Sequence, residues 1–337
     1  MPALAIGKAL SAMGINPVYV VRANMTDIEL IRHHKFLYRP MPASGFFGKS
    51  IKEIVLFFIN LLKAMVIFPQ IAFKEKPKAI IASGGYSSLV PILWAIILHK
   101  KFFLLEQNRI PGRLSKYLSR WAKEVYLGFP LSKKIKARTV YTGNPLRAEL
   151  SQKNCHDDGK TVLVLGGSQG ARFINVNTVE LASLMPNLNF VIQTGKRDYE
   201  SVKQLVKSNN CRLIDFTLSM EKFYERATIV ISRAGGMVLS EILSFGIPSI
   251  IIPFPFATDN HQAANAQFLT QNSAAIILDQ NRRSGYSQDF VEQLKTTLEL
   301  LINNKEKLNQ MSKNARLLAK DNATSVIAQR IKKCLEN

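Results

Sequence analysis

Acidic residues are scarce in the first half of this chain. Of its 337 residues, 45 are Lys or Arg and 24 are Asp or Glu, a formal net charge of +21. Up to Arg147 there are 23 basic against 6 acidic residues, a net +17; from Ala148 onward there are 22 against 18, a net +4. A basic excess confined to one half points to an anionic partner: nucleic acid, anionic lipid or a phosphorylated substrate. No recognition helix or RNP-like aromatic pattern is present, so a nucleic-acid partner is not expected. Cysteine is also scarce. Cys155, Cys211 and Cys334 have no metal or redox spacing, which excludes a disulfide scaffold and fits a reducing compartment. The chain carries no D-x-D pair, no H-E-x-x-H and no Cys/His cluster, so no dedicated metal site is expected. The start lacks a basic n-region and a cleavage site, which argues against a signal peptide. No internal repeat stands out.

What the sequence does contain is short apolar runs alternating with helical patterns. The runs are Val18–Val21, Ala79–Ala82, Phe102–Leu105, Glu124–Leu127, Thr161–Leu165, Asn189–Gln193, Arg212–Phe216, Ile229–Ser232, Ser249–Pro253 and Ala275–Leu278. Most do not alternate apolar with polar, the mark of strands buried on both faces. The expectation is an α/β fold with two parallel sheets. Hydrophobic content of 47% and a length of 337 residues suit about two domains. The polar stretch Gly143–Lys160 marks the join, and Lys305–Leu335 reads as a basic helical tail.

The opening "MPALAIGKALSAMGINPVYVV" reads as helix then strand. Pro2 suits a first helical turn, and Gly14 sits where a C-terminal stop belongs. Such a helix normally follows a strand and a ligand-binding loop. "FFGKSIKEIVLFFINLLKAMVIFPQIAFKEKPK" (Phe46–Lys78) breaks the rhythm. Its apolar core, Ile54–Phe68, is expected to end at Pro69. Fifteen residues at about 1.5 Å each fall short of a bilayer core of about 30 Å, so a transmembrane span is not expected. Two readings stay open: a buried helix, or a surface helix dipping into anionic lipid beside Lys49, Lys52, Lys63, Lys74, Lys76 and Lys78.

Three strand–glycine–helix turns carry the chemistry. They are "TVLVLGGSQGARFIN" (Thr161–Asn175), "IIASGGYSS" (Ile80–Ser88) and "ISRAGGMVLSEILSFGIPSIIIP" (Ile231–Pro253). Glycines admit a ligand close to the backbone, and a helix N-terminus offers N–H groups and partial positive charge. Alone, such a turn reads first as a tight structural connection. Glu241 either stabilises the start of its helix or grips a ribose diol. "LLEQNRIPGR" sets Glu106, Gln107 and Asn108 after a buried strand, where polar groups are costly unless used. "PFATDNHQAANA" precedes a helix that Asp259 or Asn260 could cap.

In combination, "GGY", "EQN", "GNPLR", "GGSQGAR", "SRAGGMVLSE" and "DNHQAANA" resemble the MurG-type glycosyltransferases of family 28. The resemblance runs from Pro2 to the C-terminal helix. It implies a GT-B fold, two Rossmann-like domains facing across a cleft. Residues 1–147 with a helix at about 321–337 would form the acceptor and membrane-side domain, and 148–320 the UDP-GlcNAc-binding domain. It implies inverting transfer of GlcNAc from UDP-GlcNAc to undecaprenyl-pyrophosphoryl-MurNAc-pentapeptide, the lipid I to lipid II step of peptidoglycan synthesis. UDP-GlcNAc is the donor substrate, with no cofactor required. The work would be done peripherally at the cytoplasmic face of the bacterial inner membrane, through the 46–78 region.

By motif match, Arg147, Ser168, Gly236, Met237, Val238, Leu239, Ser240, Glu241 and Gln262 would contact the donor, with Glu241 on the ribose. Thr217 would present backbone to the uracil, and Asn108 would reach the donor sugar from the other domain. Gly84, Gly85 and Tyr86 would border the acceptor pyrophosphate. Glu106 is the candidate base or an orienting group. Leu105 stands where many relatives have His. Relatives also carry a strand and a "GGTGGH" loop ahead of the helix that here begins at Pro2. The N-terminal domain is therefore expected to lack its first strand, with exposed backbone in the gap and a recorded start that is too late. Two alternatives accompany this: a truncated inactive homologue that binds only nucleotide sugar or membrane, and a related glycolipid glycosyltransferase.

Overall fold

The computed structural model describes residues 2–23, 25–43, 51–150, 158–166, 170–217, 219–281 and 284–336. The chain divides into two compact units. One holds Met1–Gln107, Pro111–Arg147 and Asn322–Asn337; the other holds Asn108–Ile110 and Ala148–Asp321.

The first unit runs α1 (Pro2–Ala12), β1 (Val18–Arg22), α2 (Met25–His33), β2 (Leu37–Met41), α3 (Ile51–Glu75), β3 (Ala79–Ala82), α4 (Leu89–Ile97), β4 (Lys101–Glu106), α5 (Arg113–Leu118), β5 (Glu124–Leu127) and β6 (Thr139–Tyr141). Gly14 stops α1 in the left-handed conformation, φ 81°, with its N–H on Ser11. All strand pairs are parallel, but they form two separate ladders. β1 pairs with β2, and β3-β4-β5-β6 form a four-stranded sheet. Among the described residues no strand joins β1 to β3.

Two strands escape the apolar-run reading. β2 contains Pro40 and an exposed Leu37, tolerable because β2 is an edge strand. β6 is short and mostly exposed, at the opposite edge.

Pro69 does not end α3, which runs 25 residues from Ile51 to Glu75. Ala64 and Phe68 before the proline, and Ala72 after it, pack into one cluster with Met41, Val90 and Trp94. Arg39 then pairs with Glu75 at 2.6 Å in the last turn. This packing outweighs the cost of an interior proline, about 3 kcal/mol. Lys76, at φ 44°, ends the helix instead. The fifteen-residue length argument therefore fails: by length and composition, Lys52–Glu75 could cross a bilayer. Phe46 to Ser50, Lys49 included, lie outside the described residues.

The second unit runs β7 (Thr161–Leu165), α6 (Arg172–Leu184), β8 (Asn189–Gln193), α7 (Tyr199–Lys203), β9 (Cys211–Ile214), α8 (Glu221–Tyr224), β10 (Ile229–Ser232), α9 (Gly236–Phe245), β11 (Ser249–Ile251), α10 (His261–Gln271), β12 (Ala275–Ile277), α11 (Gln288–Ile302) and α12 (Lys305–Leu318). Its six parallel strands lie in the order β12-β11-β10-β7-β8-β9. Strand order reverses between β7 and β10, so the loops leaving these two neighbours flank the topological switch point.

The C-terminal tail is not one helix. It breaks at Ala319, which is extended at ψ 144°, and α13 (Ala323–Glu336) returns to the first unit. There Ile327, Ala328 and Ile331 pack with Ile6 and Leu10 of α1, and Thr324 Oγ1 donates to the Leu146 carbonyl at 2.8 Å. The sequence assigns a helix at about 321–337 to the first domain; its individual partners on α1 leave no trace there.

Candidate functional site

The second unit concentrates its candidate residues at the carboxyl end of β10. Ser232 ends the strand, Gly235 caps α9, and the first intrahelical bond runs from Leu239 N–H to the Gly235 carbonyl at 3.0 Å. The amides of Gly236, Met237 and Val238 precede that bond, and the N-cap, a glycine, has no side chain to cap them. Amides so placed, with the helix dipole behind them, form an anion-binding end. Ser240 turns inward and donates to the Gly236 carbonyl at 3.0 Å.

Glu241 is the sixth residue of α9, so it lies beyond the first turn and does not stabilise the helix start. Its Oε2 accepts from the buried Tyr224 hydroxyl at 2.8 Å, which fixes the carboxylate's orientation. Thr217 lies in the loop after β9, where its Oγ1 accepts from Ser219 N–H at 3.1 Å. Ser168 lies outside the described residues, as do its neighbours Gly167 and Gln169.

Gln262, in the first turn of α10, spends its oxygen on the scaffold. Oε1 accepts from Ala234 N–H at 3.2 Å and from Phe254 N–H at 2.9 Å. It thereby ties the loop after β10 to the loop after β11, and leaves its amide NH2 as the group able to donate outward. Asn260 is the N-cap of α10, but it makes no side-chain cap hydrogen bond. Asp259 and Asn260 both adopt left-handed backbone, φ 52° and 55°. Two consecutive non-glycine residues there store strain, a feature concentrated at functional sites.

Asn108 belongs with this unit rather than the first, a correction to its expected domain. The reason is Asn265, fully buried in α10. Its Nδ2 donates to Asn108 Oδ1 at 2.9 Å and to the Ala234 carbonyl at 3.0 Å, while its Oδ1 accepts from Arg109 N–H at 2.9 Å. Three segments, the Asn108 loop, the Ala234 loop and α10, meet on one side chain. Sequence reasoning passed over Asn265 although "DNHQAANA" contains it; an Asn one turn beyond Gln262, on the same helix face, was the available signal. It also passed over Arg233. That guanidinium donates to the carbonyls of Ile252 and Pro253 at 3.0 and 3.3 Å, and burial pushes its pKa down to about 10.

The first unit holds the remaining candidates. Glu106 is buried at the end of β4, and its Oε2 accepts from Gly112 N–H at 2.9 Å. Gln107 Nε2 donates to the Ser83 carbonyl at 3.0 Å, and Asn144 Nδ2 to the Gln107 carbonyl at 3.2 Å. Gly84 and Gly85 both have left-handed φ, 80° and 79°, with open space where a Cβ would be. Ser88 Oγ closes their turn on the Gly84 carbonyl at 2.9 Å. Tyr86, exposed, sets its ring edge-on to Phe57 of α3 at 5.8 Å, so the glycine turn and the apolar helix are neighbours. Arg147 is half-buried at the end of "GNPLR". Among the described residues, no three His, Cys, Asp or Glu side chains cluster as metal ligands.

Comparison with known proteins adds a family to this geometry. The Glycosyltransferase family 28 N-terminal domain model matches residues 1–127, and the Glycosyltransferase family 28 C-terminal domain model matches residues 161–331. The chain is 32% identical to the UDP-N-acetylglucosamine--N-acetylmuramyl-(pentapeptide) pyrophosphoryl-undecaprenol N-acetylglucosamine transferase of Nitrosospira multiformis, over 97% of this chain and 93% of that protein. It is 35% identical to the protein of the same name in Leptospira interrogans, over 81% and 76% respectively. The crystal structure of Acinetobacter baumannii MurG matches with a TM-score of 0.76 and 27% identity, covering 98% of this chain and 95% of that one. The fold is the two-domain α/β arrangement called GT-B.

Proposed function

The chain belongs to glycosyltransferase family 28, and we propose that it transfers N-acetylglucosamine from UDP-GlcNAc to undecaprenyl-pyrophosphoryl-MurNAc-pentapeptide, the lipid I to lipid II step. The observation that carries the site reading is the glycine-led start of α9 at the switch point of a six-stranded parallel sheet. The donor's diphosphate sits against the amides of Gly236–Val238. Negative charge grows on that diphosphate as the sugar leaves, so a fixed dipole there stabilises the transition state more than the ground state. Arg147 and Ser168 add to this, and no metal is required. Glu241, oriented by Tyr224, accepts from the ribose hydroxyls. Gln262 donates from its NH2, Asn108 reaches the sugar, and Thr217 marks the base pocket.

Inversion requires attack by the acceptor hydroxyl from the face opposite the leaving UDP. Glu106, whose Oε2 accepts from the Gly112 amide, is the base that takes the acceptor hydroxyl's proton or the group that orients it. Gly84, Gly85 and Tyr86 take the acceptor pyrophosphate through amides that only left-handed backbone presents. α3 then serves the lipid. Leu62, Val66 and Phe73 are 69%, 63% and 82% exposed, while Ala64 and Phe68 on the opposite side are packed against the unit's own core. A helix held along one side and apolar on the other lies in the membrane surface, with Lys52, Lys63 and Lys74 near anionic headgroups. The protein thus works peripherally, at the cytoplasmic face of the inner membrane.

Calorimetry tests the donor site. Glu241→Gln keeps an acceptor for Tyr224 but loses the charge, and weakens UDP-GlcNAc binding roughly tenfold, as loss of a charge-assisted hydrogen bond should. Unchanged affinity would remove Glu241 from the donor site.

A further inference from the structure

Tyr224 runs along the side of α9 that carries Glu241. Its ring stacks on Phe245, with centroids 5.1 Å apart and planes 25° from parallel. Its hydroxyl donates to Glu241 Oε2 at 2.8 Å, one helical turn nearer the start of α9. The residue is buried, and its backbone is fixed as well. The Tyr224 N–H donates to the Met220 carbonyl at 3.1 Å, and the Tyr224 carbonyl accepts from Ala227 N–H at 3.2 Å, just before β10.

Packing alone asks only for the ring. Phenylalanine would stack on Phe245 equally well and bring no buried hydroxyl in need of a partner. The hydroxyl does something further. The terminal torsion of a glutamate is broad and two-fold, so the helix sets the position of the Glu241 carboxylate but not its plane. A hydrogen bond from a rigid, buried donor sets that plane. It uses one of the roughly four acceptor positions on the carboxylate.

Direction matters too. On a helix, the side chain at 241 leans toward the N-terminus and shares a face with 237 and 238. Met237 and Val238 carry two of the amides proposed above to receive the diphosphate. A carboxylate one turn behind those amides, held at a fixed angle, suits a vicinal diol, whose two donors must be met at once. A single hydroxyl makes no such demand.

We propose that Tyr224 is a positioning residue that makes the site select ribonucleotides over 2′-deoxyribonucleotides, by holding the Glu241 carboxylate where it accepts from both hydroxyls of a ribose. This rests on the ribose placement proposed above for Glu241. Without the 2′-hydroxyl the fixed carboxylate is one donor short. A carboxylate able to turn would recover by centring on the 3′-hydroxyl. Selectivity therefore comes from the rigidity of Glu241, and Tyr224 supplies that rigidity from the buried side.

The test is calorimetry of the full chain with UDP and with 2′-deoxy-UDP. The native chain binds UDP roughly tenfold or more tightly than 2′-deoxy-UDP, as the loss of one charge-assisted hydrogen bond requires. Tyr224→Phe keeps the ring on Phe245 and lowers that preference at least about threefold, chiefly by weakening UDP. A merely structural role would weaken both nucleotides alike and leave their ratio unchanged. Each ratio is taken within one preparation, so a smaller folded fraction alters the stoichiometry and not the ratio. In a Glu241→Ala background, Tyr224→Phe changes the preference no further, because the two residues act as one unit. A preference that survives Tyr224→Phe, or a further fall in the Glu241→Ala background, would overturn the proposal while leaving Glu241 on the ribose. No preference in the native chain would instead take Glu241 off the ribose, and the donor-site reading would fall with the proposal.

Discussion

Asn265 Nδ2 lies 2.9 Å from Asn108 Oδ1, and the same amide group donates to the Ala234 carbonyl at 3.0 Å. One buried side chain thus fixes both the segment Asn108–Ile110 and the loop that opens α9. The candidate donor site is held in shape by a buried side chain behind it.

Replacing Asn265 with Ala leaves the Ala234 carbonyl, the Arg109 amide and the Asn108 carboxamide short of a partner. Unfolding free energy is expected to fall by about 2–3 kcal/mol, the cost of buried polar groups left unmade. Urea denaturation measures it. A change below about 0.5 kcal/mol, the level of ordinary surface substitutions, would mean that this junction holds nothing together.

Glu124 supports a prediction about acid. This buried carboxylate of β5 accepts from Arg330 of α13 at 2.7 and 2.9 Å, with Arg138 at 3.2 Å. The Arg330 hydrogen bonds lead in holding its pKa below the ordinary 4.5. A depressed carboxylate contributes stability that is complete above its unfolded value and is lost as pH falls through the folded one. Stability should therefore drop below about pH 4.5 as this pair is protonated. Arg330→Met should lower stability at neutral pH by about 2 kcal/mol, less than a fully buried pair because Arg330 is partly exposed. It should also flatten the acid limb of a denaturation-versus-pH profile. An unaltered limb would show that α13 is held by its apolar contacts alone.

The exposed face of α3 gives a third expectation. Leu62→Gln, Val66→Gln and Phe73→Gln together should cut binding to vesicles containing anionic phospholipid by at least about tenfold, from lost apolar burial. Thermal stability should hardly change, since these side chains face outward. Vesicle sedimentation of the triple variant checks this; undiminished binding would move the lipid contact elsewhere.

Much of the scaffold was legible because buried parallel strands write themselves as apolar runs. Ala79–Ala82, Glu124–Leu127, Thr161–Leu165 and Ile229–Ser232 fall where the runs do. The edge strands β2 and β6 did not, since an edge tolerates Pro40 and exposed residues that erase the pattern. The length of α3 was misread because local proline chemistry was weighed without the Phe68–Ala72 packing that overrides it. Glycine turns advertised Gly84, Gly85 and the start of α9. The partners that orient the site, Tyr224 on Glu241 and Asn265 on Asn108, come from residues 17 and 157 positions away. Such long-range pairings leave no local trace.

The central claim is transfer, and one radiochemical assay addresses it directly. The full chain is incubated with labelled UDP-GlcNAc and undecaprenyl-pyrophosphoryl-MurNAc-pentapeptide in anionic vesicles. The account predicts label in a lipid-linked disaccharide with inverted, β configuration, and a raised KM for UDP-GlcNAc in Glu241→Gln. Tight UDP-GlcNAc binding with no label reaching the lipid would contradict it and leave the chain a donor-binding protein.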